Sequence, residues 1–197
     1  MDSTPDLTIN SNHTLTLNTL LTSSNNSLNL MGSGTLSLGK ATTLTGTLDL
    51  GGSGLAGTTL LLNGVNLTVG TLNVTSNSTI DFASTAATLN VTNLSIAAGV
   101  TLTIQNWANA VDYFYATNWS GATPDLSNAA PMNQVVFTGF TAANTKWQGY
   151  DHQITPVPEP TTYGGLLLGS LTLLLAWRRR PAGVRRGPSP TPTIGGV

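Results

Sequence analysis

The side chains that could do acid–base chemistry in this chain are few and widely spaced. Hydrolysis of a glycosidic bond needs two carboxylates held together, and elimination needs a carboxylate beside a base. Between residues 1 and 155 the only bases besides histidine are Lys40 and Lys146. The acids there are Asp2, Asp6, Asp49, Asp81, Asp112, Asp125 and Asp151. Asp49 and Asp81 could meet on neighbouring layers of a repetitive fold, but each suits a turn or a solvated strand face better. The sequence therefore predicts that the protein is not an enzyme.

The sequence also contains few residues that could form a metal site or bind nucleic acid. His13 and His152 are the two histidines, and Asp151 beside His152 has no second ligand cluster to complete a metal site. The absence of cysteine excludes disulfides and thiolate ligands, so we expect no metal and no cofactor. Five of the seven bases follow residue 177, which leaves a mildly acidic body. Because phosphate binding needs clustered Lys and Arg, we expect no nucleic-acid partner.

A repeated apolar–polar–apolar unit dominates the chain from Leu7 to Ile104. Its clearest copies are Leu15-Thr16-Leu17, Leu28-Asn29-Leu30, Leu36-Ser37-Leu38, Leu48-Asp49-Leu50, Leu72-Asn73-Val74, Leu89-Asn90-Val91, Leu94-Ser95-Ile96 and Leu102-Thr103-Ile104. Alternation at period two places the apolar residues on one face of a strand. Asn, Gly and Ser between the copies supply turns. The repeat therefore predicts many short strands.

Short strands at such intervals fit a sandwich, a barrel or a β-solenoid. We favour the solenoid, or parallel β-helix, because similar apolar residues can stack from coil to coil into one core. Coils of about 20–25 residues would fit the chain. The predicted fold is mainly β, with residues 1–104 as a repetitive, solenoid-like region.

Composition changes after Ile104. Between residues 105 and 154 lie Trp107, Tyr113, Phe114, Tyr115, Trp119, Phe137, Phe140, Trp147 and Tyr150. Val111–Ala116 and Gln134–Thr138 have the pattern of strands. We interpret residues 105–154 as an aromatic-rich cap on the C-terminal end of the solenoid. The rings serve either as core or as a platform on which sugars stack.

Residues 155–180 carry a three-part signal. A Pro-rich extended linker contains Val157, Pro158, Glu159 and Pro160. An uncharged, apolar helix is predicted over 163–177, and a cluster of three arginines follows it. The helix comprises Tyr163, Gly164, Gly165, Leu166, Leu167, Leu168, Gly169, Ser170, Leu171, Thr172, Leu173, Leu174, Leu175, Ala176 and Trp177. The arginines are Arg178, Arg179 and Arg180.

This order of Pro-Glu-Pro, short apolar helix and arginine cluster resembles the PEP-CTERM sorting signal, a segment also labelled as an ice-binding protein C-terminal domain. The resemblance covers about 24 residues, and it implies transient anchoring in the inner membrane with the arginines on the cytoplasmic side. It also implies that an exosortase, a membrane peptidase, cuts near Glu159. The expected destination is the cell surface or the extracellular matrix, with exopolysaccharide as a partner. Residues 181–197 extend past the usual end of the signal and are predicted to form a disordered basic tail.

Other interpretations of the body remain. The alternative function is a glycan- or ice-binding solenoid, and ice binding would need a flat array of evenly spaced threonines. Thr flanks Leu at Thr14-Leu15-Thr16, Thr43-Leu44-Thr45 and Thr101-Leu102-Thr103, at uneven spacing. Asn-x-Ser/Thr acceptor patterns for glycosylation begin at Asn12, Asn25, Asn66, Asn73, Asn77, Asn90, Asn93 and Asn118. No secretory signal peptide precedes the first repeat, which suggests that export depends on a segment upstream of Met1.

Overall fold

The structure, a computed structural model, describes residues 6–19, 27–51, 57–83, 85–119, 131–140 and 145–156. These residues form fourteen strands and a single turn of 3-10 helix at Met132–Gln134. Sheet 1 contains β1 (Asp6–Thr8), β3 (Leu28–Met31), β5 (Thr42–Leu50), β7 (Leu67–Val74), β9 (Thr88–Ile96) and β11 (Tyr113–Trp119). Sheet 2 contains β2 (Thr14–Leu17), β4 (Thr35–Leu38), β6 (Thr59–Leu61), β8 (Ser78–Asp81), β10 (Leu102–Gln105) and β12 (Val135–Phe137). The last two strands, β13 (Thr145–Trp147) and β14 (Ile154–Pro156), form an antiparallel hairpin.

Successive strands of each sheet come from successive coils, and all of them pair in parallel. Leu28 pairs with Leu48, 20 residues later, and Thr42 pairs with Leu67, 25 residues later. The chain thus alternates between the two sheets and advances one layer per coil. This arrangement confirms the predicted mainly β fold and the β-solenoid, and these two coil lengths match the expected size.

The core consists of apolar columns that run along the solenoid. In sheet 2 one inward column contains Leu15, Leu36, Leu60, Ile80, Ile104 and Phe137. In sheet 1 a second column contains Leu28, Leu48, Leu72, Leu94 and Trp119. Column members between the ends are almost fully buried, whereas Leu15 at the first layer is 39% exposed. The alternating triplets of the sequence are therefore the units that stack.

The longer strands of sheet 1 bend in the middle. In β7 the inward residues Val69 and Leu72 are separated by two partly exposed residues instead of one. The alternation of inward and outward side chains is therefore offset by one residue at the bend. Gly70 lies at this point, and a Cβ on it would collide with the backbone oxygen of Thr45 in the previous coil. Glycine is thus required here because the layers approach closely.

The hairpin of β13 and β14 packs on the last layer. Tyr115 of β11 forms an antiparallel bridge with Gln153, and Ala116 N donates to the carbonyl of His152 at 2.9 Å. The indole Nε1 of Trp147 donates to the carbonyl of Ala116 at 2.9 Å. The middle of the β11 edge, which would otherwise offer unpaired backbone groups, is therefore bonded to the hairpin at Tyr115 and Ala116.

Several sequence-based boundaries differ from the observed ones. The strand predicted at Val111–Ala116 runs from Tyr113 to Trp119, and β11 and β12 are the final strands of the two sheets. Residues 155 and 156, expected in an extended linker, belong to β14 and are buried. The helix predicted over 163–177 and the tail 181–197 lie outside the described residues. Within the described ranges, no helix is long and apolar enough to cross a membrane.

The apolar columns predict a position-dependent cost of truncation. Leu60 is fully buried in the middle of the sheet 2 column, and Leu15 is its partly exposed counterpart at the first layer. We expect Leu60→Ala to lower the free energy of unfolding by about 2–5 kcal/mol, because it leaves a cavity between layers. Leu15→Ala should cost about 1 kcal/mol or less. Urea denaturation followed by far-ultraviolet circular dichroism measures both, and equal costs would contradict the stacked core.

Candidate functional site

The residues of the sorting motif lie beyond the last described residue. Val157–Pro160, the apolar segment 163–177 and Arg178–Arg180 all fall there. The side chains that the structure does bring together belong to the solenoid and its terminal hairpin.

Asparagine side chains form hydrogen bonds between neighbouring coils. Asn66 Oδ1 accepts from the amide of Thr88 at 3.0 Å, and Asn77 Oδ1 accepts from the amide of Thr101 at 2.8 Å. Asn118 Nδ2 donates to Asn93 Oδ1 at 3.1 Å. These Asn side chains therefore satisfy polar groups from layer to layer.

The aspartates are separated and serve local structure. Asp49 lies on sheet 1 and accepts from Asn73 Nδ2 at 3.0 Å. Asp81 lies on sheet 2 and accepts from the amide of Ala83 and from Asn106 Nδ2 at 2.8 and 2.7 Å. The two carboxylates that could have formed a pair thus belong to different sheets. Asp49 bonds to a neighbouring coil of sheet 1, and Asp81 bonds to residues near its own end of sheet 2.

Asp112 is a buried carboxylate that the sequence pattern did not single out. It is 1% exposed and accepts from the amide of Ala87 at 3.1 Å and from the amide of Ala108 at 2.7 Å. Ala87 immediately precedes β9, one coil away. Asp112 therefore fixes the start of the last coil to the preceding one.

The histidines and acids do not form a metal site in the described part of the chain. His13 is exposed, and its Nδ1 lies 3.0 Å from the carbonyl of Ser11. His152 occupies a turn in the hairpin with φ of 62° and lies against the ring of Trp147. Asp151 accepts from the amide of Gln153 at 3.0 Å and so stabilises the same turn.

Threonines align on the outer face of sheet 2 despite their uneven spacing in the sequence. One column contains Thr14, Thr35, Thr59, Thr79 and Thr103, and it continues to Val136. The adjacent column contains Thr16, Ser37, Leu61, Asp81 and Gln105. A regular two-dimensional threonine lattice is therefore absent from this face in the described strands. A single row of Thr is what β-propensity alone would select.

The aromatic residues divide between the core and the surface. Phe82, Phe114 and Phe137 are fully buried, and Trp107 meets Phe82 and Phe137 edge to face at 5.0 Å. Tyr113 and Tyr115 are half-buried on the outer face of β11, with parallel rings whose centroids lie 5.9 Å apart. The core interpretation therefore holds for the phenylalanines, whereas the two tyrosine rings lie at the surface of the sheet.

A groove of about 350 Å³ opens on the last layers of sheet 1. We call it the indole–amide groove, and its lining includes Asn93, Ser95, Thr117, Asn118, Trp119 and Trp147. These residues come from β9 and β11, which are neighbouring strands of sheet 1, and from β13 of the terminal hairpin. None of the described residues that line the groove is charged. It therefore presents hydroxyls, amides and indoles in one concave surface.

Each wall of the groove has a local structural origin. Asn93 and Asn118 form part of an outward column at the strand bends, where two consecutive residues face out. Trp119 ends an inward column and is 5% exposed. Its Nε1 is buried and has no hydrogen-bond partner among the described residues. These residues lie far apart in the sequence, and only the register of the strands and the hairpin bring them together.

Comparison with family models, with curated proteins and with solved structures finds no match to this chain. The class of protein therefore rests on its own architecture: it is a mainly β protein with a parallel β-solenoid body.

The buried carboxylate of Asp112 should be important for stability. Asp112→Ala leaves the amides of Ala87 and Ala108 without their acceptor, so we expect the free energy of unfolding to fall by about 2–4 kcal/mol. Asp112→Asn keeps one acceptor oxygen and should cost less. Asp151→Ala, which removes one bond in a partly exposed turn, should cost about 1 kcal/mol or less and is the control. Urea unfolding curves give all three values, and a cost for Asp112→Ala no greater than the control would contradict this role.

Tyr115 should make the protein sensitive to alkali. Burial, followed by the nearby Tyr113, Asp151 and Tyr150, raises the pKa of the Tyr115 hydroxyl above its ordinary value of 10.0. The unfolded chain loses this proton at lower pH than the folded chain, so the associated stability is present below pH 10 and is lost as the pH rises through the raised pKa. Tyr115→Phe should therefore lose less stability above pH 10 than the wild type. Unfolding curves from neutral to alkaline pH test this, and identical losses would exclude the effect.

Proposed function

We propose that the protein is exported to the cell surface or extracellular matrix, where its β-solenoid is a non-catalytic structural or adhesive module. The observation that carries the proposal is the order of the C-terminal segment: Pro158-Glu159-Pro160, an apolar stretch over 163–177, then Arg178–Arg180. The segment resembles a PEP-CTERM sorting signal, which makes the chain a substrate of an exosortase and not a peptidase itself.

The physical chemistry of the segment supports this assignment. An uncharged stretch with many leucines is unfavourable in water, and each central Leu favours membrane insertion by about 0.3–0.6 kcal/mol. The arginines that follow it favour the cytoplasmic side. Proline restrains the backbone around Glu159 to extended conformations, which suit the substrate cleft of a peptidase.

The body has properties that suit a structural role outside the cell. Only 8% of the chain is charged, and Asp49, Asp81 and Asp112 are engaged in hydrogen bonds that fix turns and layers. Asp49 and Asp81 lie on different sheets, so the paired carboxylates that hydrolysis would need are not assembled from them. The aromatic-rich segment, with its hairpin on the edge of β11, acts in this proposal as the C-terminal cap of the solenoid.

Of the ligand-binding alternatives, glycan binding has the better support. Indole rings and amides line a common groove, whereas the threonines of sheet 2 form one column beside an irregular one. An ice lattice repeats in two dimensions, so a single threonine column gives little basis for recognition. We therefore assign the adhesive component to carbohydrate.

Processing of the C-terminus is the direct test. In a host that supplies an export signal and a matching exosortase, we expect the released protein to lack everything from about Thr161 onward. Replacing Pro158, Glu159 and Pro160 together with Ala should leave uncut protein in the inner membrane, because the peptidase loses its recognition site. Deleting Arg178–Arg180 should weaken membrane retention or reverse the orientation. Mass spectrometry of released and membrane fractions measures each outcome.

A matched control uses the neighbouring residues outside the motif. Replacing Thr161 and Thr162 with Ala should leave processing unchanged, which separates loss of the motif from a general effect of substitution near the membrane. Peptides from Leu166–Trp177 in the released protein, or normal processing of the triple-Ala variant, would refute the proposal.

A further inference from the structure

We propose that the indole–amide groove binds a neutral polysaccharide chain. This inference deepens the proposed function, on which it rests for the presence of extracellular polysaccharide, and it assigns a site and a ligand class. The groove spans about 350 Å³, within the range of about 300–1,000 Å³ that is usual for ligand pockets. A volume near the lower end suits one or two sugar rings of a longer chain.

The polar groups of the groove match the hydroxyls of a sugar. Asn118 Nδ2 is held by Asn93 Oδ1 at 3.1 Å, and this bond does not use the amide oxygen of Asn118. An amide oxygen accepts up to two hydrogen bonds, so Asn118 retains acceptor capacity toward a ligand. Because Asn118 is exposed while its amide is fixed by the coil below, the group is preorganised.

Trp147 provides the apolar surface of the groove. Trp147 is half-buried, and its Nε1 is bonded to the carbonyl of Ala116, so that the ring is fixed at the groove wall. Trp119 packs behind the groove wall, where it is 5% exposed and its Nε1 is buried, so it shapes the groove without offering a donor to the ligand. Aromatic faces beside hydroxyl-binding groups are suited to the apolar faces of sugars.

The lack of charged side chains in the described lining of the groove indicates which class of glycan it binds. Uronate and sulfate groups are recognised by Arg or Lys, and neither type lines the groove among the described residues. The site therefore favours uncharged sugars. Its walls come from the neighbouring strands β9 and β11 and from the hairpin strand β13, so the bound chain would run across the strands and not along a single one.

The test is titration of the full-length chain in detergent with cellohexaose, laminarihexaose and an oligogalacturonate, followed by calorimetry and tryptophan fluorescence. We expect at least one neutral glucan to bind and the acidic oligosaccharide not to bind. Trp147→Ala should abolish binding, and Asn118→Ala should weaken it about tenfold, as for loss of one good hydrogen bond. Tyr150→Ala, a change at an aromatic residue 83% exposed and outside the groove lining, is the matched control and should bind as the wild type does.

Asn118→Ala keeps the test decisive if Trp147→Ala disturbs the hairpin, because Asn118 is exposed and far less embedded in packing. The inference is overturned if neither neutral glucan binds, if the acidic oligosaccharide binds as tightly, or if Asn118→Ala has wild-type affinity with an unchanged circular dichroism spectrum. The inference is also overturned if Tyr150→Ala removes binding, because that result would place the binding site around Tyr150 and outside the groove. Binding is measured on purified protein and sorting in cells, so either proposal can fail without the other.

Discussion

Stacking in register is the constraint on which the rest of this structure depends. Each residue of a coil lies about 4.8 Å from its equivalent in the next coil, because parallel strands pair at that distance. A residue that suits the interior must therefore be followed, one coil later, by another that suits it. The column Leu28, Leu48, Leu72, Leu94 and Trp119 shows the result, with apolar residues in every layer from β3 to β11.

The same constraint explains the scarcity of charge. Like charges directly opposite each other on neighbouring strands repel, and a solenoid repeats that opposition at every layer. Asp49 pairs in register with Asn29 below and Asn73 above, and it accepts a hydrogen bond from the latter. Neutral amides and hydroxyls can stack without repulsion and can bond to each other. A surface rich in Asn, Thr and Ser is thus the polar surface that is compatible with this architecture.

The local pattern predicted the strands well because it depends on residues close in sequence. Each of the eight triplets lies within an observed strand, and Leu36, Leu60 and Ile80 occupy one column as stacking requires. The register between coils could not be predicted from the sequence, because turn lengths vary. In addition, the alternation of inward and outward side chains is offset by one residue at Gly70, and the sequence pattern gives no sign of this. The threonine column and the groove both depend on that register. Asn93, Asn118 and Trp147 are distant in the chain, and nothing in their local sequence indicates that they share a surface. The strand at Ile154–Pro156 was missed because proline favours a linker, although an edge strand with one paired side accepts it.

The terminal hairpin also determines how the body responds to mechanical load. Among the described strands, a pull applied from the C-terminal side reaches β14 first, because β14 is the last of them in sequence. Its pairing with β13 covers three residues, whereas β5 and β7 pair at seven positions, with further coils behind them. Tension would therefore peel β14 away before any coil opens. That peeling would separate Gln153 and His152 from β11 and leave a strand edge ready to pair with another chain. The hairpin is thus the part that would open first under load, and its release would expose the edge of β11 while the coils remain folded.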